Sequence, residues 1–172
     1  MTAAIPLTRI TLRPITPDMA RDIANNNRAT NWAEDYPTDG DIIISGVLLK
    51  AIDMGVDYAP PTVVHPWSGP WQICVRDDKD PSADTVVGAI GFKGGPDVAN
   101  QVEIGYGIAE SARGFGYATD AVTALVELAS RQGVTVIAET ETHNDASERV
   151  LQRCGFILTH TALDGNRWWR LD

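Results

Sequence analysis

The chain has 172 residues, 44% of them hydrophobic and 22% charged, with a formal net charge of −9 at pH 7. That length suits a single domain with one core, so residues 1–172 are expected to form one unit. The acidic balance excludes a general nucleic-acid or anionic-membrane partner, because phosphate surfaces are held by clustered Lys and Arg. It suits a cationic small molecule or a basic peptide. No apolar run reaches the length of a membrane span. The opening MTAAIPLTRITLRP is too short and interrupted for a signal peptide, so the expected location is the cytoplasm. Cys74 and Cys154 form no CxxC pair and read as thiols of a reducing compartment. His65, His143 and His160 are too scattered to suggest a metal, and none is expected.

In chain order, LTRITLRP (7–14) alternates apolar and polar residues as a half-buried strand does, and ends at Pro14. Thr16 as N-cap and Pro17 at the first helical position open a helix. The stretch 31–41 is turn-rich and acidic. A second helix is expected through DIIISGVLLKAIDMG, with Ile44, Val47, Leu48 and Ala51 as its apolar face, although its Ile-rich start reads equally as a strand. Four prolines make 59–70 an irregular loop. Three strands follow at 71–77, 85–93 and 101–109, and the links between them are short enough only for an antiparallel meander.

The clearest helix spans 116–133, with Ala118, Ala121, Val122, Leu125, Leu128 and Ala129 on one face and Gly133 as its stop. A β-branched strand at 134–140, a short helix at 144–155 and a closing pair of strands complete the order β-α-α-β-β-β-α-β-α-β-β. This predicts an α/β (α+β) fold: a mixed, mostly antiparallel central sheet with helices on both faces. If the strands flanking the clearest helix lie parallel in one sheet, their connection is a right-handed crossover.

The elbow ARGFGYA (112–118) joins the third meander strand to that helix. A helix start presents unpaired N–H groups and the positive end of a dipole. Gly114 and Gly116 clear side chains from the approach, and Arg113 adds a charged donor, so the elbow suits a phosphate or pyrophosphate. A Walker A loop fails here, because Gly116 is followed by Tyr117-Ala118 rather than Lys-Ser/Thr. GFGYAT matches a dinucleotide fingerprint only loosely, and its preceding strand belongs to a meander. A single Gly-rich elbow is more often just a tight turn.

The spacing Arg113-x-x-Gly116-x-Ala118 resembles the (Q/R)xxGx(G/A) motif of the GNAT superfamily of N-acetyltransferases. HNDASERVLQRCGF (143–156) resembles that family's Asn-x-x-Ser helix and Gly-Phe turn, and VGAIGF and VEIGYGI look like its central strands. The opening L-x-R-x-x-L-R-P resembles the ribosomal-protein N-terminal acetyltransferase (RimJ/RimL-like) branch. The resemblance implies transfer of an acetyl group from acetyl-CoA, the co-substrate, to an amine. It implies that Arg113, Gly114, Phe115, Gly116, Tyr117, Ala118 and Thr119 meet the cofactor's pyrophosphate, that the backbone near Ile108 binds its pantetheine arm between splayed strands, and that Asn144 and Arg153 add contacts.

An alkyl ammonium has a pKa of about 10.4, so a general base is useful. Glu103 is the candidate. In a regular strand it shares a face with Gly105 and Gly107, where a ligand can lie close, while Val102, Ile104, Tyr106 and Ile108 share the other. Many family members carry a glutamate on this strand as base; the plain structural alternative is an exposed strand glutamate making only a salt bridge. Ser147 is the candidate acid for the leaving thiolate, three residues after Asn144 on one helix face. The plain structural alternative makes Asn144 an N-cap and Ser147 an ordinary first-turn residue. The acceptor pocket in the family lies around the first two helices, which points to Trp32, Glu34 and Tyr36 for an amine, held by ion pairing and cation–π contact; a charged surface loop with buried aromatic anchors is the structural alternative. The acceptor is a small amine or a protein N-terminus, and monomer and homodimer both stay open. Loss of catalysis would leave an acyl-CoA-binding sensor or scaffold module as the alternative.

Overall fold

The computed structural model describes residues 4–80 and 83–171. Its strands are β1 (Ile5–Pro6), β2 (Ile10–Pro14), β3 (Trp71–Val75), β4 (Thr85–Phe92), β5 (Gln101–Ile108), β6 (Thr135–Thr140), β7 (Ile157–Thr161) and β8 (Arg167–Leu171). Its helices are α1 (Pro17–Ala24), α2 (Asp39–Asp53), α3 (Tyr117–Ser130) and α4 (Asp145–Arg153). The strands form one sheet in the order β1-β2-β3-β4-β5-β6-β8-β7. Every neighbouring pair is antiparallel except β5 and β6. The sequence-based order therefore gains one element. A turn closed by Leu7 N–H on the Ile10 carbonyl (2.8 Å) folds Ile5–Pro6 back onto β2, so 7–14 does not run as one strand.

Each helix start obeys its local sequence. Thr16 accepts from Met19 N–H ahead of Pro17, and Thr38 and Asp41 form a reciprocal capping box that opens α2. That box settles the helix-or-strand ambiguity of the Ile-rich stretch and sets the phase of α2. Asp41 and Ser45 turn inward, while Ile44 and Val47 are 46% and 64% exposed. The expected apolar face is thus corrected: Leu48 and Leu49 pack on the core, and Ile44 and Val47 do not. At the end of α3, Gly133 has φ +69°, and Val134 N–H reaches back to the Ala129 carbonyl (3.1 Å), a left-handed helix stop.

Two apolar layers flank the sheet. One holds Leu12, Ile73, Ile90, Ile104, Val122, Leu125 and Leu151 under α3 and α4. The other holds Ile15, Ala20, Ile23, Tyr36, Cys74 and Ala89 on the side of α1. Cutting fully buried Leu125 to Ala would cost about 2–5 kcal/mol.

The feature that positions the site is where β5 and β6 stop pairing. Their parallel register runs from Gln101↔Thr135 to Ile104↔Ala138 and ends there, although β5 continues to Ile108 and β6 to Thr140. Over Gly105–Ile108, β5 pairs with β4 alone, so its other edge faces a gap.

Candidate active site

The elbow stands at the end of that free edge. After β5 the chain makes a short 3-10 turn at Glu110–Ala112 and then two glycines with φ +83° and +85°. Gly116 is the N-cap of α3 and offers no side chain, so the first amides of α3 carry no side-chain cap. The result is a cradle of bare backbone donors at the positive end of a 14-residue helix.

A groove of about 420 Å³ runs from this cradle along the free edge of β5. Ile108, Arg113, Gly114, Gly116, Tyr117, Ala118, Thr119, Asn144, Ser147 and Arg153 all line it, so the structure brings most of the expected cofactor residues together. Its far wall is α4. Asn144 caps that helix, its Oδ1 accepting from Ser147 N–H at 3.2 Å, so the plain structural role of Asn144 is realised on the groove wall itself. Arg113 donates from Nε to the Ile108 carbonyl (3.3 Å), which engages that carbonyl and leaves the guanidinium tip at the rim. Phe115 does not line the groove: its ring stacks on Tyr117 with centroids 5.7 Å apart, and its carbonyl turns outward.

Two observations fit this groove to a phosphorylated, amide-bearing ligand. The Thr119 hydroxyl oxygen is buried and has no hydrogen-bond partner among the described residues. A buried hydroxyl of that kind costs free energy until a partner arrives. The second is the free backbone edge of β5, which can accept an extended ligand as an added strand.

A profile of the acetyltransferase (GNAT) domain matches residues 9–157. The chain belongs to this family. An uncharacterised N-acetyltransferase of Bacillus subtilis (strain 168), YjdG, is 34% identical over 100 residues; the match spans 57% of this chain and 56% of that protein, little more than half of either. Solved GNAT-like structures cover the chain more fully. An acetyltransferase from Agrobacterium tumefaciens str. C58 aligns over 100% of this chain and 95% of its own, with a TM-score of 0.64 at 19% identity. RimL, a ribosomal alpha-N-protein acetyltransferase in complex with coenzyme A, aligns over 98% and 97%, with a TM-score of 0.64 at 18% identity. A ribosomal-protein alanine acetyltransferase from Vibrio fischeri aligns over 98% and 96%, with a TM-score of 0.61 at 15% identity. At these identities the neighbours establish a shared GNAT fold.

The remaining expected residues of the GNAT site lie elsewhere. Glu103 sits on the opposite face of β5 from the buried Val102 and Ile104, and the groove does not include it. Its carboxylate pairs with the Lys93 ammonium. The same face carries Gly105, against the Lys93 side chain, and Gly107, against the Thr38 hydroxyl at the start of α2. Glu103 therefore looks onto the α2 side of the sheet.

Of the acceptor residues, Glu34 is exposed and Trp32 half-buried. Tyr36 is 0% exposed, so its side chain has no surface to offer an acceptor. It packs edge-to-face on Trp32 at 5.0 Å, and Arg28 holds the loop by donating to the Ala33 and Tyr36 carbonyls, both at 2.7 Å. Burial, with the nearby Asp41 carboxylate, pushes the Tyr36 phenol far above its ordinary range. Asp35 ties this loop to the elbow side by accepting from Ser111 N–H (2.9 Å) and the Ser111 hydroxyl. Those bonds hold the Asp35 carboxyl below its usual range.

Two residues of the site carried no functional reading in the sequence. Tyr106 lines the groove and donates to the Ser147 carbonyl at 3.2 Å. Its alternation with Val102 and Ile104 was the available signal. Arg9 grips the elbow from the bend just before β2, and its place in the opening L-x-R-x-x-L-R-P stretch was its only mark.

Proposed function

We propose that this chain transfers the acetyl group of acetyl-CoA to a primary amine, in one step within a ternary complex. The observation that carries this reading is the parting of β5 from β6 between an uncapped Gly-rich helix start and the Asn144–Ser147 turn. Acetyl-CoA supplies an activated thioester and two linked phosphates. The elbow amides, Arg113 and Arg153 meet the phosphates, and Thr119 adds a hydroxyl. The free edge at Tyr106–Ile108 holds the pantetheine arm and aims an N–H at the thioester oxygen.

Glu103 takes a proton from the amine on the α2 side, directly or through water, with Lys93 orienting the carboxylate. The amine nitrogen then bonds to the carbonyl carbon, the C–S bond breaks, and Ser147 protonates the departing thiolate. Direct transfer is favoured because neither thiol is activated. Burial pushes Cys74 up to about 12 and also raises Cys154, so neither is a ready acyl acceptor. The acceptor is a protein N-terminus or a small amine; the first is supported by the opening motif's resemblance to the ribosomal-protein branch and by neighbours named as ribosomal-protein acetyltransferases.

Release of free thiol from acetyl-CoA, followed against N-terminal peptides, polyamines, amino acids and aminoglycosides, tests the proposal. One amine class should support turnover, and Glu103→Gln should lower kcat/KM by about 10²–10⁴-fold. CoA binding with no thiol release for any amine would favour the non-catalytic binding module.

A further inference from the structure

Arg9 makes a connection that the catalytic reading does not use. From the bend just before β2 its guanidinium donates to Asp120 twice, Nε to Oδ2 at 3.0 Å and Nη2 to Oδ1 at 2.9 Å. Nη1 donates to the Phe115 carbonyl at 2.6 Å. The same group lies 5.7 Å from the centre of the Tyr117 ring. A Cβ on Gly116 would come within 3.0 Å of Nη2. One side chain thus touches the elbow at positions 115, 116, 117 and 120, from a residue 106 to 111 positions away in the chain.

We infer that Arg9 is a positioning residue for the phosphate cradle, acting in two ways at once. First, it fixes the elbow. A loop with two left-handed glycines has much conformational freedom to lose, and a cradle left loose would lose it only when the ligand binds. The planar fork on the Asp120 carboxylate and the Phe115 carbonyl sets that loop beforehand. By drawing the Phe115 carbonyl outward it also leaves the groove side to N–H groups.

Second, Arg9 cancels a charge. Asp120 lies in the first turn of α3, one residue after the groove-lining Thr119 and itself just outside the groove. Bare, its carboxylate would repel the phosphates; paired, it does not. The Asp120 bonds raise the Arg9 guanidinium further above its ordinary value, and a guanidinium is charged throughout the neutral range in any case. Its donors point at Asp120 and Phe115, not into the groove, and it is absent from the groove lining.

This inference rests on the elbow being the pyrophosphate site. CoA is titrated calorimetrically into the wild-type protein and into Arg9→Ala, Arg9→Lys, Asp120→Asn and the double variant Arg9→Ala/Asp120→Asn, with melting followed in parallel. Arg9→Ala should weaken CoA binding about tenfold or more, and Arg9→Lys by less, because an ammonium keeps the charge without the fork. Asp120→Asn in the Arg9→Ala background should restore part of the lost affinity by removing the unpaired carboxylate. A role in stability alone would lower the melting temperature and leave CoA affinity intact, which overturns the inference. Direct contact between Arg9 and the phosphates also overturns it. In that case Asp120→Asn alone tightens binding by freeing Arg9, and the double variant stays as weak as Arg9→Ala. No CoA binding by the folded wild type would instead remove the pyrophosphate reading itself.

Discussion

The Tyr106 hydroxyl donates to the Ser147 carbonyl, joining β5 to the first turn of α4 across the groove, over 41 residues of chain. Burial pushes this phenol up to about 12, so it stays protonated and able to donate. The sign of its pH dependence follows. The folded value lies above the unfolded value of about 10, so the folded state holds its proton longer, and stability falls as pH rises from about 10 through 12. Tyr106→Phe should cost about 0.5–1.5 kcal/mol at pH 7. It should also lose its share of the alkaline decline in melting temperature, the part owed to Tyr58 and Cys74 remaining.

Thr119 offers a sharper contrast between stability and binding. Its hydroxyl is buried without a partner among the described residues, so nothing in the fold rewards it. Thr119→Val should keep or slightly raise the melting temperature while weakening CoA binding, by about 0.5–1.5 kcal/mol for one hydrogen bond. Calorimetry paired with thermal melts reads both. A large loss of stability with unchanged affinity would assign the hydroxyl to the core instead.

Asn144 and Ser147 share one turn but should fail differently. Asn144→Ala removes the N-cap of α4 and should lower stability by about 1 kcal/mol, besides its effect on the cofactor. Ser147→Ala keeps its backbone N–H on the cap and its carbonyl on Tyr106, so stability should change little. If Ser147 protonates the leaving thiolate, its kcat should fall by about 10²-fold with CoA affinity retained. Kinetics and urea melts on both variants check this, and loss of CoA binding in Ser147→Ala would reassign it to binding.

Asp41 is a buried carboxylate in a capping box. Burial raises its carboxyl above the ordinary value, outweighing the Thr38 bonds that lower it. The native state therefore holds a proton that the unfolded chain has released, and stability falls as pH rises from the ordinary carboxylate value through the raised one. Asp41→Asn keeps an oxygen for the Thr38 N–H and hydroxyl and sheds the buried charge. It should be at least as stable as wild type at pH 7, whereas Asp41→Ala should lose about 1 kcal/mol. Urea unfolding at pH 5 and pH 7 distinguishes them.

What the sequence made legible was local. The elbow, the α3 stripe, the meander and the Asn144 cap each lie within one short window, where glycines, caps and periodicity act. Long-range contacts decided the rest. Tyr36 fitted an acceptor pocket and a buried anchor equally well in the sequence, and Arg28 and Trp32 make it the anchor, inside the second core. Ile44 and Val47 fit a helical face, yet the Thr38–Asp41 box turned that face outward. Arg9 and Tyr106 gain meaning only through partners 111 and 41 residues away. The facing of Glu103 was readable from alternation alone; its pairing with Lys93 across the β4–β5 turn was not.

The central claim is that the elbow holds the phosphates of CoA. Calorimetric titration with acetyl-CoA, CoA, ATP and NAD, on wild type and Gly116→Trp, tests it most directly. Gly116 sits at φ +85° in the cradle, and a side chain there would press on the Arg9 guanidinium, so a large one both strains the loop and displaces the clamp that holds it. The account predicts binding selective for CoA and its acetyl ester in the wild type, lost in a variant that still folds. A folded wild type that binds no CoA, or binds ATP or NAD equally well, would contradict it.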